Sequence, residues 1–169
     1  MSEVPEGVDL SGFVRKPPRP TATMTLTRDG PNGPEVLLGL RSETMAAFPG
    51  YWAFTGGGVS RVDTAAVESF SVLDVEHGKF IACILRETCE ELGVAPNGDH
   101  VISIDENARF DVIKDKANWL PHAEDCNIPV NIDNINILGH RITPPFGPVQ
   151  FDNAFIHFHC GDWQSVPEF

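Results

Sequence analysis

An α+β (mixed α/β) fold is the class that this chain of 169 residues predicts. Segments with the alternation and β-branched content of strands outnumber segments with helical periodicity. One clear helical segment lies between the strands, and this order indicates an α+β or mixed α/β class. Hydrophobic residues make up 41% of the chain and charged residues 21%, so it can bury one core and is globular rather than disordered.

The first predicted elements form a β-hairpin. The alternation in Thr21–Gly30 is typical of a strand, and Glu35–Ser42 is predicted as the returning strand after the turn DGPNGP. A short aromatic strand, Tyr51–Phe54, follows and leads into Gly56–Gly58, where we expect the backbone to turn without obstruction by Cβ atoms. The aromatic side chains of this strand are expected to fill the core, with stacking on a ligand ring as the alternative.

A helix is predicted over Phe80–Leu92, because apolar residues recur along one side and Gly93 follows as a stop. Residues 100–113 are expected to hold one strand or two. Residues 134–143 and Phe151–Cys160 are predicted as further strands, the latter with aromatic and polar residues in alternation. Together with the hairpin, these strands supply the predicted sheet.

The domain organisation is predicted as a Pro-rich N-terminal arm, residues 1–20, followed by one domain, residues 21–169. The net charge of −12 disfavours a nucleic-acid partner, since an acidic surface repels phosphate backbones. No secretory signal is recognised and no apolar run approaches the roughly 18 residues of a membrane span, so no membrane partner is expected. Four cysteines without metal-binding spacing are typical of reduced thiols in a cytoplasmic protein.

Three glutamates are concentrated in the helical segment LRETCEELGV. On a helix, Glu90 and Glu91 lie three and four residues after Glu87, so all three project from one face. Like charges at this spacing repel, whereas a divalent cation would hold them together, and Mg²⁺ or Mn²⁺ takes oxygen ligands of this kind. A solvated acidic helix face, with Arg86 as a partial counter-ion, is the alternative.

The order of glycines, arginine and glutamates resembles the Nudix box, G-x5-E-x7-R-E-U-x-E-E-x-G-U, in which U is a bulky aliphatic residue. With Gly57 as the first glycine, the run Arg86–Val94 matches the end of the box, apart from Thr88, which stands where the aliphatic residue is usual. Segments on both sides, from Pro20 to Phe158, resemble the same family in order. The sequence is thus similar to Nudix hydrolases over most of its length.

An insertion separates the two halves of the box. Gly57 and Arg86 lie 29 positions apart, against 14 in the motif, and the extra residues are expected at about 60–79. Counted from Gly57, Asp63 falls at the place of the motif's first glutamate, either as its true counterpart or by accident. Such an insertion resembles one branch of the family, which includes a peroxisomal coenzyme A diphosphatase and bacterial relatives.

This resemblance implies a Nudix-type α/β/α sandwich with a central mixed sheet, in which the box holds Mg²⁺ or Mn²⁺. It implies hydrolysis of the pyrophosphate bond of a nucleoside diphosphate linked to another group. Glu87, Glu90 and Glu91 are the implied metal ligands, and Glu87 or Glu91 is the implied base. Arg86, counted with them in the catalytic set, is expected to orient the carboxylates rather than to meet the substrate.

Four further residues are implied as substrate contacts. Arg41 follows the second strand and is expected either to meet substrate phosphate or to form a surface ion pair. Gly57 and Gly58 offer backbone atoms as a further metal ligand or phosphate contact. Asp152 is expected near the site, or as a residue that pins a turn.

Two functions are therefore considered. The first is a metal-dependent diphosphatase acting on coenzyme A or an acyl derivative, with ADP-ribose or NADH next. The alternative is a non-catalytic Nudix-like module that binds a nucleotide or a partner protein. The C-terminal helix usual in the family has no evident counterpart after Phe151–Cys160, so either the chain is a fragment or a partner covers the sheet, and a homodimer is expected.

Overall fold

The computed structural model of the protein describes residues 6–7, 9, 16–45, 48–69, 76–114, 131–144 and 149–161. Within these ranges helices stand between strands along the chain, as the predicted α+β class requires. The elements are β1 (Arg19–Gly30), β2 (Gly33–Val36), β3 (Gly39–Leu40), β4 (Trp52–Ala53), β5 (Thr55–Gly58), α1 (Arg61–Ser69), α2 (Gly78–Leu92), β6 (Val94–Asn97), β7 (His100–Ser103), α3 (Glu106–Lys114), β8 (Ile135–Ile142) and β9 (Phe151–His159).

The main sheet has five strands in the order β2–β1–β9–β8, with β5 also paired to β1. Strands β1 and β9 run parallel and the other pairs are antiparallel, so the sheet is mixed, as predicted. Strands β1 and β2 form the predicted hairpin, but β2 ends at Val36, and the short ribbon of β3 and β4 follows. The sheet thus brings the start of β1 against β5, directly before the predicted box.

Helix α2 is buried along two sides. On one side Ile84 lies in an apolar cluster with Met24 of β1 and Ile156 of β9. On the other side Leu85 lies in a second cluster with Ala66 of α1. Full burial of a side chain such as Ile84 stabilises a fold by about 1.5–3 kcal/mol. The sheet and α1 therefore hold the glutamate-bearing helix firmly from both sides.

Helix α2 begins two residues earlier than predicted and ends where predicted. His77, just before the helix, has a left-handed φ of 66°, and no side chain caps the helix there. At the other end Gly93, also at φ 66°, donates its amide to the Cys89 carbonyl at 3.0 Å. A left-handed residue in this position is a common helix stop, and glycine adopts it without strain.

The predicted turn at the glycines is wrong, because Gly56–Gly58 lie within strand β5, which pairs antiparallel with β1. A Cβ atom on Gly56 would overlap the Ala22 carbonyl oxygen and come within 2.9 Å of the Thr23 Cα atom. Glycine is therefore required here by the close approach of two strands.

The possible second strand in residues 100–113 is also wrong. The first is strand β7, but the segment continues into helix α3. The Asp105 carboxylate accepts hydrogen bonds from the amides of Asn107 at 2.9 Å and Ala108 at 3.3 Å. This is an N-cap, which satisfies amides that the first helical turn leaves unpaired.

The aromatic side chains around β4 do not fill the core, contrary to expectation. Tyr51, Trp52 and Phe54 are 65%, 66% and 42% exposed. Leu40, paired with Trp52 across the β3–β4 ribbon, is 60% exposed. The β3–β4 ribbon, which precedes β5, therefore exposes an apolar surface.

The predictions of a missing C-terminal helix and of a homodimer rest on residues 162–169, which lie outside the described residues. Most of the predicted arm, residues 1–20, lies outside them too, but Arg19 and Pro20 belong to β1, so this strand begins two residues earlier than predicted. None of the helices in the described part of the chain has the length and apolar character needed to span a bilayer.

Replacing Thr88 with valine is expected to stabilise the protein by about 1 kcal/mol, which raises the melting temperature by about 2–4 °C. Thr88 is fully buried, and its hydroxyl has no hydrogen-bond partner among the described residues. Valine has the same shape without the buried hydroxyl. Thermal unfolding followed by circular dichroism measures the change.

The control is Thr23→Val, which removes a hydroxyl bonded to Asn153 at 3.2 Å and should lower the melting temperature. A lower melting temperature for Thr88→Val would show that its hydroxyl is bonded in solution.

Candidate active site

Ser60 and Asp63 start helix α1 as a reciprocal capping box. The Asp63 carboxylate accepts from the Ser60 amide at 2.7 Å and from the Ser60 hydroxyl at 2.9 Å, and the Asp63 amide donates back to that hydroxyl at 3.4 Å. The segment predicted as the insertion, residues 60–79, therefore opens with a helix. The Asp63 side chain is 0% exposed, and a carboxylate buried so completely requires a cationic partner.

That partner is Arg86 of α2. Its Nε and Nη2 atoms each donate to the Asp63 carboxylate at 2.9 Å, a bidentate ion pair. The guanidinium also donates to Glu87 at 2.7 Å, to Glu90 at 3.4 Å and to the Gly58 carbonyl at 3.2 Å. Burial alone would lower the pKa of Arg86, but the hydrogen bond and charge of Asp63 outweigh burial and raise that pKa. With 2% exposure, Arg86 is buried among these carboxylates, in keeping with the expectation that it contacts them rather than a substrate.

The third glutamate, Glu91, turns toward strand β5. Its Oε2 atom accepts from the Gly56 amide at 3.3 Å. Glu91 is the most exposed of the three glutamates, yet desolvation where its carboxylate meets β5 raises its pKa above the ordinary value. The hydrogen bond from Gly56 opposes this shift, and the negative charge of Glu87 adds to it. A cation near Glu91 would therefore favour its charged form.

Strand β5 lies directly against the Glu87 carboxylate. A Cβ atom added to Gly57 would overlap that carboxylate, whereas a Cβ atom added to Gly58 would meet nothing within 4 Å. Both glycines were predicted as substrate or metal contacts. Gly57 lies against the Glu87 carboxylate, and the Gly58 carbonyl accepts a hydrogen bond from Arg86. The absence of a side chain at Gly57 provides the space that Glu87 occupies.

The donor set suits a hard divalent cation. The carboxylates of Asp63, Glu87 and Glu90 surround Arg86, and Glu91 adds a fourth negative charge nearby. Mg²⁺ and Mn²⁺ take carboxylate oxygens as ligands. In this conformation, however, no three acidic, imidazole or thiol side chains among the described residues are gathered to hold a metal ion. Glu87 and Glu90 accept hydrogen bonds from Arg86 instead, so an ion would require their carboxylates to reorient.

The thiols on α2 are poor candidates for chemistry. Burial raises the pKa of Cys83 to about 12 and that of Cys89 to about 11. Both thiols are therefore protonated at neutral pH, and a protonated thiol is a weak nucleophile. The carboxylates remain the candidates for chemistry at this site.

Arg41, predicted as a substrate contact, lies beside the site, where it lines the same cavity as Glu91. The cavity has a volume of about 240 Å³, and its walls also include Leu40, Met45 and Phe54. The positive charge of Arg41 lowers the pKa of Glu91 and so opposes the effect of burial. A cationic group, a carboxylate and apolar walls therefore meet in one concave space next to the glutamates.

Asp152 is not brought to that cavity. It lies at the start of β9, where its carboxylate contacts His140 Nδ1 at 3.2 Å. Both residues line a separate, larger cavity of about 720 Å³, together with His77 and Phe80 at the start of α2. The glutamates are on the later turns of α2, so the structure separates Asp152 from them.

Two residues of the site received no role from the sequence. Ser60 could have been found, because S-x-x-D before a helical segment is a capping-box pattern. Arg109 of α3 donates to the backbone carbonyls of Glu90 and Glu91, and no local pattern indicates a contact across 18 or 19 positions. Asp63, whose place in the motif was left open, is the partner of Arg86.

Solved structures share this architecture. A Nudix hydrolase from Alicyclobacillus acidocaldarius aligns over 92% of this chain and 76% of that chain, with a TM-score of 0.71 and 23% sequence identity. A MutT/nudix family protein from Enterococcus faecalis aligns over 98% of this chain, with a TM-score of 0.51 and 20% identity, but the match spans only 42% of that longer protein. No protein-family model and no curated protein matches the chain. The chain has the Nudix fold, as predicted, and identities of this order establish the fold alone.

Proposed function

We propose that the protein is a metal-dependent diphosphatase that hydrolyses the pyrophosphate bond of a nucleoside diphosphate linked to another group. The observation that carries this proposal is the convergence of Glu87, Glu90 and Glu91 around Arg86 and strand β5. A solvated acidic helix face does not account for it, because Arg86 is buried and Glu87 and Glu90 are only 15% and 10% exposed. The Nudix fold supports the same reaction class.

Glu87, Glu90 and Glu91 would hold Mg²⁺ or Mn²⁺. Such an ion, when bound, screens the charge of a pyrophosphate and lowers the pKa of a coordinated water. Arg86 donates to the Glu87 carboxylate and the Gly56 amide donates to the Glu91 carboxylate, and these donors offset the repulsion between the like charges. Glu87 or Glu91 is proposed to act as the base as well, since both carboxylates lie against strand β5.

Arg41 is proposed to bind a substrate phosphate. A guanidinium pairs well with phosphate oxygens, and Arg41 shares the cavity of Glu91. The apolar walls of that cavity and the exposed Trp52 on the neighbouring ribbon offer contact for an apolar or planar part of the substrate. These features support a nucleotide conjugate. Coenzyme A or an acyl derivative leads by the resemblance of the sequence to one branch of the family alone, with ADP-ribose or NADH next.

A cytoplasmic location is part of this proposal. Cys83 and Cys89 are buried free thiols. Proteins of oxidising compartments usually carry disulfides, whereas cytoplasmic proteins keep such thiols reduced.

Phosphate-product release with Mg²⁺ or Mn²⁺ across a panel of coenzyme A, acyl-coenzyme A, ADP-ribose, NADH and diadenosine polyphosphates tests the proposal. We expect cleavage of one compound class that a chelator abolishes. Glu90→Gln should lower kcat by about 100-fold or more. Removal of a metal ligand is expected to lower the rate more than removal of a residue that only orients a ligand, which costs about 10- to 100-fold. Glu106→Gln, on the exposed first turn of α3, is the matched control and should leave the rate unchanged.

Absence of cleavage across the panel would refute the diphosphatase. If one of the same compounds then raised the melting temperature, a non-catalytic binding module would be the better description. A rate unaffected by Glu90→Gln would place the chemistry elsewhere in the chain.

A further inference from the structure

We propose that Arg109, on helix α3, is a positioning residue for the glutamate site. Its Nε and Nη2 atoms donate to the Glu90 carbonyl at 3.0 and 2.7 Å, and Nη2 also donates to the Glu91 carbonyl at 3.0 Å. Arg109 contacts the backbone of two of the three glutamates and acts through them. This inference rests on the proposed function, since it assigns a role to Arg109 in the same site.

The contact satisfies groups that the helix itself leaves unpaired. The last carbonyls of an α-helix have no intrahelical partner, and they form the negative end of the helix dipole. In α2 this end carries Glu90 and Glu91 as well, so negative charge accumulates there. The guanidinium of Arg109 supplies both a positive charge and hydrogen-bond donors. A lysine could supply the charge but could not span two carbonyl oxygens in the same planar geometry.

Asp105 and Gly93 support the contact between Arg109 and the end of α2. Asp105 caps α3, and its carbonyl accepts from the Arg109 amide at 2.8 Å, which fixes the turn that carries Arg109. On the other side, a Cβ atom added to Gly93 would lie 3.4 Å from Arg109 Cδ. Gly93 thus ends α2 and leaves room for the arginine side chain to pass.

Fixing the backbone of Glu90 and Glu91 fixes where their side chains start. The Glu91 carboxylate meets the Gly56 amide at 3.3 Å, and the Glu90 carboxylate meets Arg86 at 3.4 Å. Both contacts depend on the last turn of α2 remaining helical. Loss of Arg109 should let this turn fray, so that the backbone of both glutamates is no longer fixed and ordering their carboxylates around a divalent cation costs more free energy.

The test compares Arg109→Ala and Arg109→Lys with Arg141→Ala. Arg141 is the matched control, because it is exposed and donates to a backbone carbonyl, that of His140, at 3.0 Å on strand β8. Mn²⁺ binding is measured by titration calorimetry in the absence of substrate. Amide exchange of Gly56 is followed by NMR in metal-free protein, with Val59, whose amide donates to the Pro20 carbonyl at 3.0 Å, as the reference in the same region.

We expect Arg109→Ala to weaken Mn²⁺ binding by about 10-fold, the usual effect of removing a group that orients metal ligands. Guanidinium ion added at low concentration should restore part of that affinity. Arg109→Lys should also weaken binding, and Arg141→Ala should not. The Gly56 amide should exchange faster in both Arg109 variants while Val59 is unchanged.

Equal Mn²⁺ affinity in Arg109→Lys, Arg109→Ala and the wild type would overturn the inference. If Arg109→Ala does not fold, Arg109→Lys decides the question by the same two measurements. If the wild type binds no Mn²⁺, the proposed function fails, and the exchange of Gly56 alone then decides the role of Arg109. Unchanged protection of Gly56 would refute that role.

Discussion

Replacing Asp63 with alanine is expected to destabilise the protein by about 3–5 kcal/mol, the usual result of breaking a buried ion pair from one side. Asp63 is 0% exposed and Arg86 is 2% exposed. Without Asp63, the guanidinium keeps its charge in the interior and loses two hydrogen bonds of 2.9 Å each. The first turn of α1 loses its cap as well, because the same carboxylate binds Ser60. Urea denaturation followed by circular dichroism measures the loss.

Asp29→Ala is the matched control for this experiment. Its carboxylate is 85% exposed and lies 3.7 Å from His159 at the surface, where an ion pair contributes little. We expect its denaturation midpoint to stay close to that of the wild type. A loss below about 1 kcal/mol in Asp63→Ala would contradict the buried pair, since so small a cost requires that water reaches Arg86.

Replacing Gly57 with alanine is expected to lower metal affinity and kcat by about 10- to 100-fold, with most of the stability retained. The added methyl group would occupy the space of the Glu87 carboxylate. That neighbour is the end of a side chain that is 15% exposed, so it can move aside, and the fold survives at the expense of the site. Calorimetric titration with Mn²⁺ and steady-state kinetics on the compound that the panel selects measure the effect.

The neighbouring glycines provide opposite controls. Gly58→Ala should retain stability and lower metal affinity much less than Gly57→Ala, because the added group meets open space rather than Glu87. Gly56→Ala should destabilise the fold by about 1–3 kcal/mol, because its added group meets the backbone of β1. Wild-type metal affinity in Gly57→Ala would contradict the placement of Glu87 against β5.

Elements with a strong local pattern could be predicted from the sequence. The period of 3.6 residues that defines α2 also places Glu87, Glu90 and Glu91 on one face, and both follow from spacing alone. The alternation in β9 and in the β1–β2 hairpin is likewise a local property. Gly93 could be read as a helix stop because glycine adopts the left-handed conformation without a Cβ penalty.

The wrong predictions arose where the reason for a residue lies in another part of the chain. Gly56 and Gly57 are glycines because β1 and the Glu87 carboxylate lie against them, and neither neighbour is visible in the local sequence. Helix α3 is the exception, since its reason is local: the Asp105 cap outweighed the strand-like residues that follow it. Trp52 is exposed because the ribbon of β3 and β4 stands apart from the main sheet.

The sequence by itself determined the α+β class, the glutamate helix and its likeness to the Nudix box. Only the tertiary structure decided that Asp63, within the predicted insertion, pairs with Arg86 of α2, and that Arg109 of α3 donates to a carbonyl at the end of that helix. It also decided that Arg41 shares a cavity with Glu91 while Asp152 lies in another. Periodicity reports the directions in which side chains leave one element, whereas a site needs the distance between elements, which depends on how the whole core packs.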